Sequence, residues 1–404
     1  DYGRQFKVEH VEIEMPSGAE GLAQFIANHP EVKGIGPSRA AKIVQACGDD
    51  FEGVLLESPE RIAQVAKVPL PTIQNLRNVW ITSRKFNAAM TWLSAFGLTH
   101  HQVTTLIEKL GNNALAILRD DPYRLMREIK GLGFKKVDQI ARKMGTAKEH
   151  QPRIRAGILH CIHEALGEGD CWVELEELVE RANLLLIMDC LDSRERIEAE
   201  LNGLIPEKTL RCVDMGGRVV AALPFIHEQE SALARFFEQG AEEVHRVETQ
   251  ELDEIIERAC PTLNEKQEYA IRTALVQRIS LISGGAGVGK SFCVSVIDAI
   301  CEKLGLEVAL TAPTGKAAKR LEELSGREAK TIHRLLGYDG NAFAKGPDDP
   351  IDADVLIVDE VSMVDVTLAW HLFQAVDLTR TSVVLVGDHN QLPPVGPGNI
   401  LRDL

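Results

Sequence analysis

The segment Leu281–Phe292, with the sequence LISGGAGVGKSF, places four glycines within six positions and then a lysine and a serine. An apolar run of β character, ISLIS, leads into it, and a helical pattern, SFCVSVIDAICEKL, follows it. The spacing from Gly284 to Ser291 fits G-x-x-x-x-G-K-[ST], and a strand before it and a helix after it are the context that a phosphate-binding loop requires. The segment therefore predicts a nucleotide-binding domain of α/β type.

The residue types of this loop explain how it would hold ATP and Mg²⁺. Glycines let backbone N–H groups face phosphate oxygens at the start of a helix. Lys290 is expected to reach the β- and γ-phosphates, and Ser291 is expected to ligate Mg²⁺. A chance glycine-rich turn is the alternative. The predicted nucleotide-binding residues of the loop are Gly284, Gly285, Ala286, Gly287, Val288, Gly289, Lys290 and Ser291.

Four further polar residues fit the same site. Asp359 and Glu360 follow an apolar run in VLIVDEVSM, so Asp359 is expected to bind Mg²⁺ and Glu360 to activate water; the alternative is a solvated acidic turn. Gln391, in LVGDHNQLPPVGPG, is expected to sense the γ-phosphate. Gln267, upstream of the loop, is expected to bind the adenine edge, because an amide can donate and accept at once. With Lys290, the residues Asp359, Glu360 and Gln391 form the predicted catalytic set.

The chain from about residue 251 alternates β runs with helices. The runs ISLIS, VALTAP, DVLIVDE and SVVLVGD each end in a polar loop. This pattern is typical of a parallel sheet covered on both faces, with ligands at the carboxyl ends of the strands.

The N-terminal part contains two similar glycine turns. VKGIGPSRAAKIVQACG (Val32–Gly48) and IKGLGFKKVDQIARKMG (Ile129–Gly145) both read apolar-Lys-Gly-apolar-Gly before a helical period. This spacing resembles the helix-hairpin-helix family, which implies contact with the DNA backbone without sequence preference. A packing turn that binds nothing is the alternative. The glycines expected to contact DNA are Gly34, Gly36, Gly131 and Gly133.

Charge and composition limit which partners, metal sites and cellular locations the sequence can predict. The net charge is −15, but residues 1–153 carry +4 and residues 154–404 carry −19, so the acidity does not exclude DNA binding by the N-terminal part. Eight scattered cysteines without a CxxC pair predict neither a zinc site nor a disulfide framework. We find no signal-peptide pattern and no membrane-spanning run, so we expect a cytoplasmic protein.

Taken together, these patterns predict a mixed fold of three domains. Residues 1–150 would form an all-α region of tandem helix-hairpin-helix units. Residues 151–250 would form a small α/β or winged-helix-like unit, because a helix pair precedes two strands around Met215; a helical spacer is the alternative. Residues 251–404 would form the P-loop domain with its parallel sheet.

Five motifs in order carry a closer resemblance: GGAGVGKS, LTAPTGKAAKRL, TIHRLLGY, LIVDEVSMVD and LVGDHNQLPPVGPGNIL. They resemble the RecD-like DNA helicases of superfamily 1B, and the N-terminal hairpins are similar to the long form of that family. The resemblance implies a RecA-like fold for residues 251–404 and an ATP-dependent 5′→3′ DNA helicase of repair or recombination. Single-stranded and duplex DNA would be its partners, and we expect a monomer.

The resemblance also implies which residues contact DNA within the P-loop domain. By position these residues are Thr311, Pro313, Thr314, Lys316, Thr331 and His333. For His333, a core histidine is the alternative. The segment Tyr338–Ile351 would be a short hairpin that splits strands. The chain stops at Leu404, soon after Gln391, so the second RecA-like domain of the family, with its arginine finger, is expected to be absent. Two other functions stay open: a P-loop ATPase without DNA, and a DNA-binding module without helicase activity.

Overall fold

The computed structural model describes residues 18–48, 50–241, 244, 249–259 and 261–404. The chain divides into two compact units, with the boundary between Ala156 and Gly157. The division into three domains, 1–150, 151–250 and 251–404, stays a prediction. Two units do not test that finer division.

The first unit is helical throughout its described residues. Its core is formed by apolar side chains at helical spacing, and Ile26, Ile43, Ile62 and Leu76 are fully buried in it. The helices are α1 (Ala19–Asn28), α2 (Pro37–Cys47), α3 (Phe51–Glu57), α4 (Pro59–Ala66), α5 (Leu70–Ser94), α6 (His100–Leu110), α7 (Ala114–Asp120), α8 (Arg124–Glu128) and α9 (Phe134–Lys143). The helix α10 (Gln151–Glu168) follows them.

Both predicted hairpins lie in this unit. The first turn joins α1 to α2, and the second joins α8 to α9. Gly34 and Gly131 have φ angles of 86° and 88°, which L-residues other than glycine adopt only with strain. Each following helix begins directly after the second glycine of its turn, Gly36 or Gly133. The all-α character predicted for the N-terminal region is confirmed for residues 18–48 and 50–150, which the structure describes.

The second unit opens with a small sheet and its helices. These elements are β1 (Val173–Glu174), α11 (Leu175–Leu186), α12 (Ser193–Leu204), β2 (Arg211–Asp214), β3 (Val219–Ala222) and α13 (Pro224–Gln239). The strands pair antiparallel in the order β1-β3-β2, and Met215–Arg218 connect β2 to β3. Two helices followed by a β-hairpin form the winged-helix-like arrangement that the sequence predicted.

A five-stranded parallel sheet dominates the rest of the second unit. Its strands are β4 (Ile279–Ser283), β5 (Val308–Ala312), β6 (Ala329–Thr331), β7 (Val355–Val358) and β8 (Ser382–Gly387). Its helices are α14 (Thr249–Ala259), α15 (Glu265–Val276), α16 (Lys290–Lys303), α17 (Gly315–Ser325), α18 (Ile332–Leu335), α19 (Val366–Gln374) and α20 (Ile400–Asp403). The order β4-β8-β7-β5-β6 confirms the predicted parallel sheet.

The two central strands explain why this sheet is stable. Every residue of β7 and β8 is buried, as expected for strands covered on both faces. On one face, Ile357 and Val384 pack with Ile271 of α15 and Ile297 of α16. Because all strands run parallel, their carboxyl ends form one edge, and the loops at that edge carry the predicted site.

The small sheet and the parallel sheet are joined by direct contacts within the second unit. Phe236 and Phe237 of α13 pack on Phe373 of α19, with ring centroids 4.8 and 5.3 Å away. The hydroxyl of Thr367 donates to the side-chain carbonyl of Gln229 at 3.0 Å. The α13 helix therefore completes the hydrophobic packing of α19.

Candidate nucleotide site and nucleic-acid interface

The phosphate-binding loop connects β4 to α16. Gly287 and Gly289 have φ angles of 77° and 95°, so two glycines of the loop are required by its backbone conformation. The Lys290 ammonium donates to the carbonyls of Gly284 and Gly285 at 2.5 and 2.8 Å. The lysine therefore lies folded over the loop that the sequence predicts to surround phosphates.

The strand order brings the predicted catalytic residues to one place. Strand β8 lies between β4 and β7, so the loop after β8 lies between the phosphate loop and Asp359–Glu360. This loop carries Gln391, whose side chain is exposed. Three neighbouring strands thus lead to the predicted catalytic residues. Strand β4 leads to Lys290 at the start of α16, β7 to Asp359 and Glu360, and β8 to the loop of Gln391.

Asp388 belongs to this site, although the sequence analysis did not select it. It is 2% exposed, and its Oδ2 lies 3.7 Å from the Lys290 ammonium. Its Oδ1 accepts the Asn390 N–H at 3.0 Å, and its carbonyl accepts the Gln391 N–H at 3.0 Å. Asp388 is the first residue after the buried strand β8. An acidic residue at the end of an apolar run is the sequence pattern that could have identified it.

Asp359 presents a half-buried carboxylate directly after β7. Its backbone N–H donates to the Thr311 carbonyl at 2.9 Å, and its Oδ1 accepts the Glu360 N–H at 2.9 Å. Burial raises the pKa of Asp359, and the bond from Glu360 opposes that increase. A partly desolvated carboxylate of this kind would be stabilised by a cation.

The residues present fit Mg²⁺ bound together with a nucleotide. Among the described residues no group of three His, Cys, Asp or Glu could hold a metal on its own. Mg²⁺ in nucleotide sites instead takes one or two carboxylates plus phosphate oxygens. Asp359 and the Ser291 hydroxyl, at the start of α16, are the protein groups that would hold it. Bound there, it would neutralise charge on the phosphates.

Glu360 has an unusual backbone and side chain. Its φ angle is 56°, in the left-handed region that only glycine enters freely. Its Oε2 is buried, with no hydrogen-bond partner in the described structure. Such strain and such an unpaired carboxylate oxygen are typical of functional sites.

Gln267 caps α15 and contacts the phosphate loop. Its side-chain oxygen accepts the Asn264 N–H at 3.3 Å, and its side-chain N–H donates to the Val288 carbonyl at 3.4 Å. Both polar ends of the amide are therefore bonded to protein. The amide keeps a second N–H and a second lone pair, so its predicted contact with the adenine edge stays a prediction.

The six residues predicted to contact DNA around β5 and β6 fall into three groups by exposure. Lys316 and His333 are exposed, and Pro313, Thr314 and Thr331 are half-buried. Thr311 is fully buried, and its hydroxyl donates to the Lys330 carbonyl at 2.9 Å. The prediction of a DNA contact by the Thr311 side chain was therefore wrong, because this hydroxyl joins two adjacent strands.

Two of these threonines have local roles that the motifs did not indicate. Thr314 accepts the Ala317 N–H and caps α17, and Thr331 accepts the Arg334 N–H and caps α18, both at 3.2 Å. The caps fix the starts of two helices at the same sheet edge.

The segment Tyr338–Ile351 forms a compact turn beside His333. It contains one isolated antiparallel bridge, between Gly346 and Asp349, and no strand within its described residues. Its Phe343 ring lies 5.7 Å from the ring of His333 and 4.3 Å from that of His371. The short hairpin predicted here is thus reduced to a single bridge.

The hairpin turns of the first unit present open surfaces. A Cβ atom built on Gly36 or Gly133 would meet no atom within 4 Å, and neither glycine has a positive φ angle. Lys33 and Lys130 are exposed beside the two turns. Arg39 donates to the Gly34 carbonyl at 3.0 Å and so covers one side of the first turn.

Two models of known protein families match parts of this chain. The family model of an AAA domain matches residues 267–397. The model described as the ATP-dependent RecD2 DNA helicase HHH domain matches residues 82–172, which include the second hairpin but not the first. The class is thus a P-loop nucleotide-binding domain joined to a helix-hairpin-helix region.

Individual relatives then confirm the RecD-like resemblance that the motifs indicated. The chain is 29% identical to the ATP-dependent RecD2 DNA helicase of Deinococcus radiodurans over 418 residues, which cover 98% of this chain and 56% of the relative. It is 37% identical to the RecBCD enzyme subunit RecD of Mycolicibacterium smegmatis over 166 residues, or 35% of this chain and 30% of the relative. The chain spans about half the length of the first relative and less of the second. No helix in the described residues is long and apolar enough to cross a membrane.

Proposed function

We propose that this chain carries the first motor domain and the DNA-binding region of an ATP-dependent 5′→3′ DNA helicase of DNA repair or recombination. The observation that carries the proposal is the shared sheet edge. The phosphate loop, Asp388, Asp359 and Glu360 follow β4, β8 and β7, and the exposed Lys316 and His333 follow β5 and β6. One sheet therefore connects a nucleotide site to a DNA surface.

The chemistry that we propose for this chain starts from Lys290. Its two bonds to the Gly284 and Gly285 carbonyls can be exchanged for bonds to phosphate oxygens, which are stronger acceptors. Asp388 would keep the ammonium oriented during that exchange, because it is buried 3.7 Å away. Glu360 would accept a proton from the attacking water through its unpaired Oε2.

The proposed coupling to DNA uses the neighbouring strands. Thr311 receives the Asp359 N–H on its carbonyl and bonds Lys330 through its hydroxyl. It therefore links the strand of the nucleotide carboxylate to the strand that ends in the DNA motif at Thr331. The role of Thr311 would be this connection, and phosphate contact would fall to Lys316 and the capped helix starts.

The test is ATP hydrolysis and strand separation by the full-length protein that carries this chain. We expect single-stranded DNA to stimulate hydrolysis, and duplexes with a 5′ overhang to be unwound in preference to those with a 3′ overhang. Glu360→Gln should bind ATP and stop hydrolysis, whereas the exposed Glu323→Gln on α17 should behave as the wild type.

Other outcomes would support the alternatives. A hydrolysis rate that does not respond to DNA would indicate a P-loop ATPase without DNA. DNA binding without ATP hydrolysis would indicate a binding module. Unwinding that persists in Glu360→Gln would contradict the role proposed for that carboxylate.

A further inference from the structure

The loop that carries Gln391 runs from Asp388 to Asn399, between β8 and α20. Gln391 is exposed, and its side chain forms no hydrogen bond within the described residues. Leu392 and Val395, further along the loop, are 80% and 94% exposed. The middle of the loop is therefore exposed, and the position of Gln391 depends on how the two ends of the loop are fixed.

The carboxyl end of this loop is fixed by two backbone hydrogen bonds. The Val366 N–H, at the start of α19, donates to the Pro397 carbonyl at 2.9 Å. The Gly398 N–H donates to the Gly169 carbonyl at 2.8 Å. Gly169 directly follows α10 and lies outside the predicted P-loop domain. The loop that carries a predicted catalytic residue is thus held by a segment from an earlier part of the second unit.

The contact at Gly398 is too close for a side chain at that position. A Cβ atom built on Gly398 would overlap Cγ2 of Val366 and would lie 2.9 Å from the sulfur of Cys171. The φ angle of Gly398 is 80°, which also favours glycine. Cys171 is 6% exposed, so its side chain is packed in place. Glycine therefore allows the end of the loop to lie directly on residues 169–171.

We propose that residues 169–171 are a positioning element for Gln391, because they hold the carboxyl end of its loop against the parallel-sheet part of the unit. This inference rests on the proposed nucleotide site and deepens it. In that site Gln391 acts at the γ-phosphate, whereas Lys290 and Ser291 bind the nucleotide and its Mg²⁺. A shift of the Gln391 loop should therefore slow hydrolysis and leave nucleotide binding unchanged. A displacement of about 1 Å can lower a rate on the order of 100-fold.

Two substitutions disturb the contact from its opposite sides. Gly398→Ala adds a methyl group that meets Val366 and Cys171, and Cys171→Leu adds volume against Gly398. Cys171→Ser keeps the size of the side chain and is the conservative variant. Gly305→Ala is the matched control. Gly305 lies between α16 and β5, its φ angle is 70°, and a Cβ atom built there would meet nothing within 4 Å.

The experiment measures ATP hydrolysis by the full-length protein that carries this chain, with saturating single-stranded DNA, and nucleotide binding by titration with N-methylanthraniloyl-ATP and MgCl₂. We expect Gly398→Ala and Cys171→Leu to lower kcat about 10- to 100-fold and to keep KM and Kd within about 2-fold of the wild type. Cys171→Ser should match the wild type. Gly305→Ala should lower the melting temperature, because alanine is strained at a positive φ angle, and should keep kcat.

Gln391→Ala separates positioning from a general loss of structure. Because the contact is proposed to act through Gln391, Gly398→Ala should cause no further loss of kcat in a protein that already carries Gln391→Ala. Losses that multiply in the double variant would overturn the proposal.

Two other results would also overturn it. One is an unchanged kcat in both Gly398→Ala and Cys171→Leu. The other is a loss of nucleotide binding together with kcat in both variants, because the whole site would then depend on the contact. A wild-type protein that does not hydrolyse ATP would instead refute the proposed function.

Discussion

The phosphate loop and the two hairpin turns are built from the same elements, a glycine-rich turn that leads into a helix, yet their surroundings are opposite. In the phosphate loop, a Cβ atom on Gly284 would lie 2.9 Å from Val288, and one on Gly289 would lie 2.6 Å from Gln267. In the hairpins, a Cβ atom on Gly36 or Gly133 would meet nothing within 4 Å. The two ends of the phosphate loop thus contact other side chains, although Gly287 and Val288 at its middle are exposed, whereas the second glycine of each hairpin is open.

The charged side chains differ in the same way. Lys290 is held by two loop carbonyls and lies near the buried Asp388, whereas Lys33 and Lys130 are exposed. An enclosed turn suits a small ligand of defined shape, since every donor is aimed before binding. An open turn suits a long polymer whose backbone passes over it. Crowding explains Gly284, and positive φ angles explain Gly287 and Gly289 of the phosphate loop. In the hairpins, positive φ angles explain Gly34 and Gly131, and we expect the approach of a ligand to be the reason for Gly36 and Gly133.

The largest effect that would test this comparison is expected at Lys290. Lys290→Ala should weaken nucleotide binding by about 100-fold or more, because charge-assisted bonds to phosphate are the strongest in such a site. DNA binding by the same protein should not change, since the hairpins lie in the other unit and the proposed contacts Lys316 and His333 follow β5 and β6, not the phosphate loop. Fluorescence titrations with nucleotide and with labelled DNA measure the two, with Lys303→Ala at the far end of α16 as the control. A parallel loss of DNA binding would show that the two regions are not independent.

The next effect concerns the hairpin lysines. Replacing Lys33, Lys130, Lys135 and Lys136 with alanine should weaken binding to all DNA sequences alike, because backbone contacts carry no sequence information. The slope of log affinity against log salt should fall by up to about 0.9 per lost contact on duplex DNA, or about 0.7 on single strands. Nucleotide binding should stay unchanged. Lys143→Ala, at the other end of α9, is the control, and an unaltered slope would make the hairpins purely structural.

A smaller effect distinguishes the two glycines within each hairpin. Gly36→Ala and Gly133→Ala should change the free energy of unfolding by less than about 0.5 kcal/mol, because the added methyl group meets open space. They should still weaken DNA binding several-fold by blocking close approach. Gly34→Ala and Gly131→Ala should instead destabilise the protein by about 1–2 kcal/mol, because of their positive φ angles. Chemical denaturation and DNA titration measure both effects, and unchanged DNA binding in Gly36→Ala and Gly133→Ala would refute ligand approach as the reason for these glycines.

The smallest effect is a pH-dependent gain in stability at Asp359. Burial raises the pKa of this carboxyl above its unfolded value, so the folded protein binds its proton more tightly than the unfolded chain does. Its contribution to stability is present below the unfolded pKa, near 4 for aspartate, and is lost as pH rises through the raised value. Asp359→Asn should therefore increase the melting temperature of the nucleotide-free protein by a few degrees at neutral pH and not at acidic pH. An equal increase at both pH values would point to a cause other than ionisation.

The sequence predicted the elements of both regions better than their side-chain contacts. Strand periodicity and the loop motif located β4, α16 and the positions of Asp359 and Gln391, because these depend on local patterns. The bond partners of Thr311 and Gln267 are Lys330 on an adjacent strand and Val288 on another loop. Lys290 and Asp388 are likewise distant in sequence. A pattern can place a residue at a sheet edge, but the three-dimensional packing decides which atom its side chain bonds.

The packing of α13 on α19 also determines where the chain can be truncated without exposing apolar surface. Phe236 and Phe237 cover Phe373, and Gln229 bonds Thr367, although α13 precedes the first strand of the parallel sheet by about forty residues. A gene fragment that starts at residue 251 would encode every predicted catalytic residue and still leave the aromatic face of α19 exposed to water. The smallest gene segment that encodes a stably folded nucleotide site therefore includes α13. A recombination event, or a truncation, that removes α13 would expose apolar surface and yield a protein prone to aggregation.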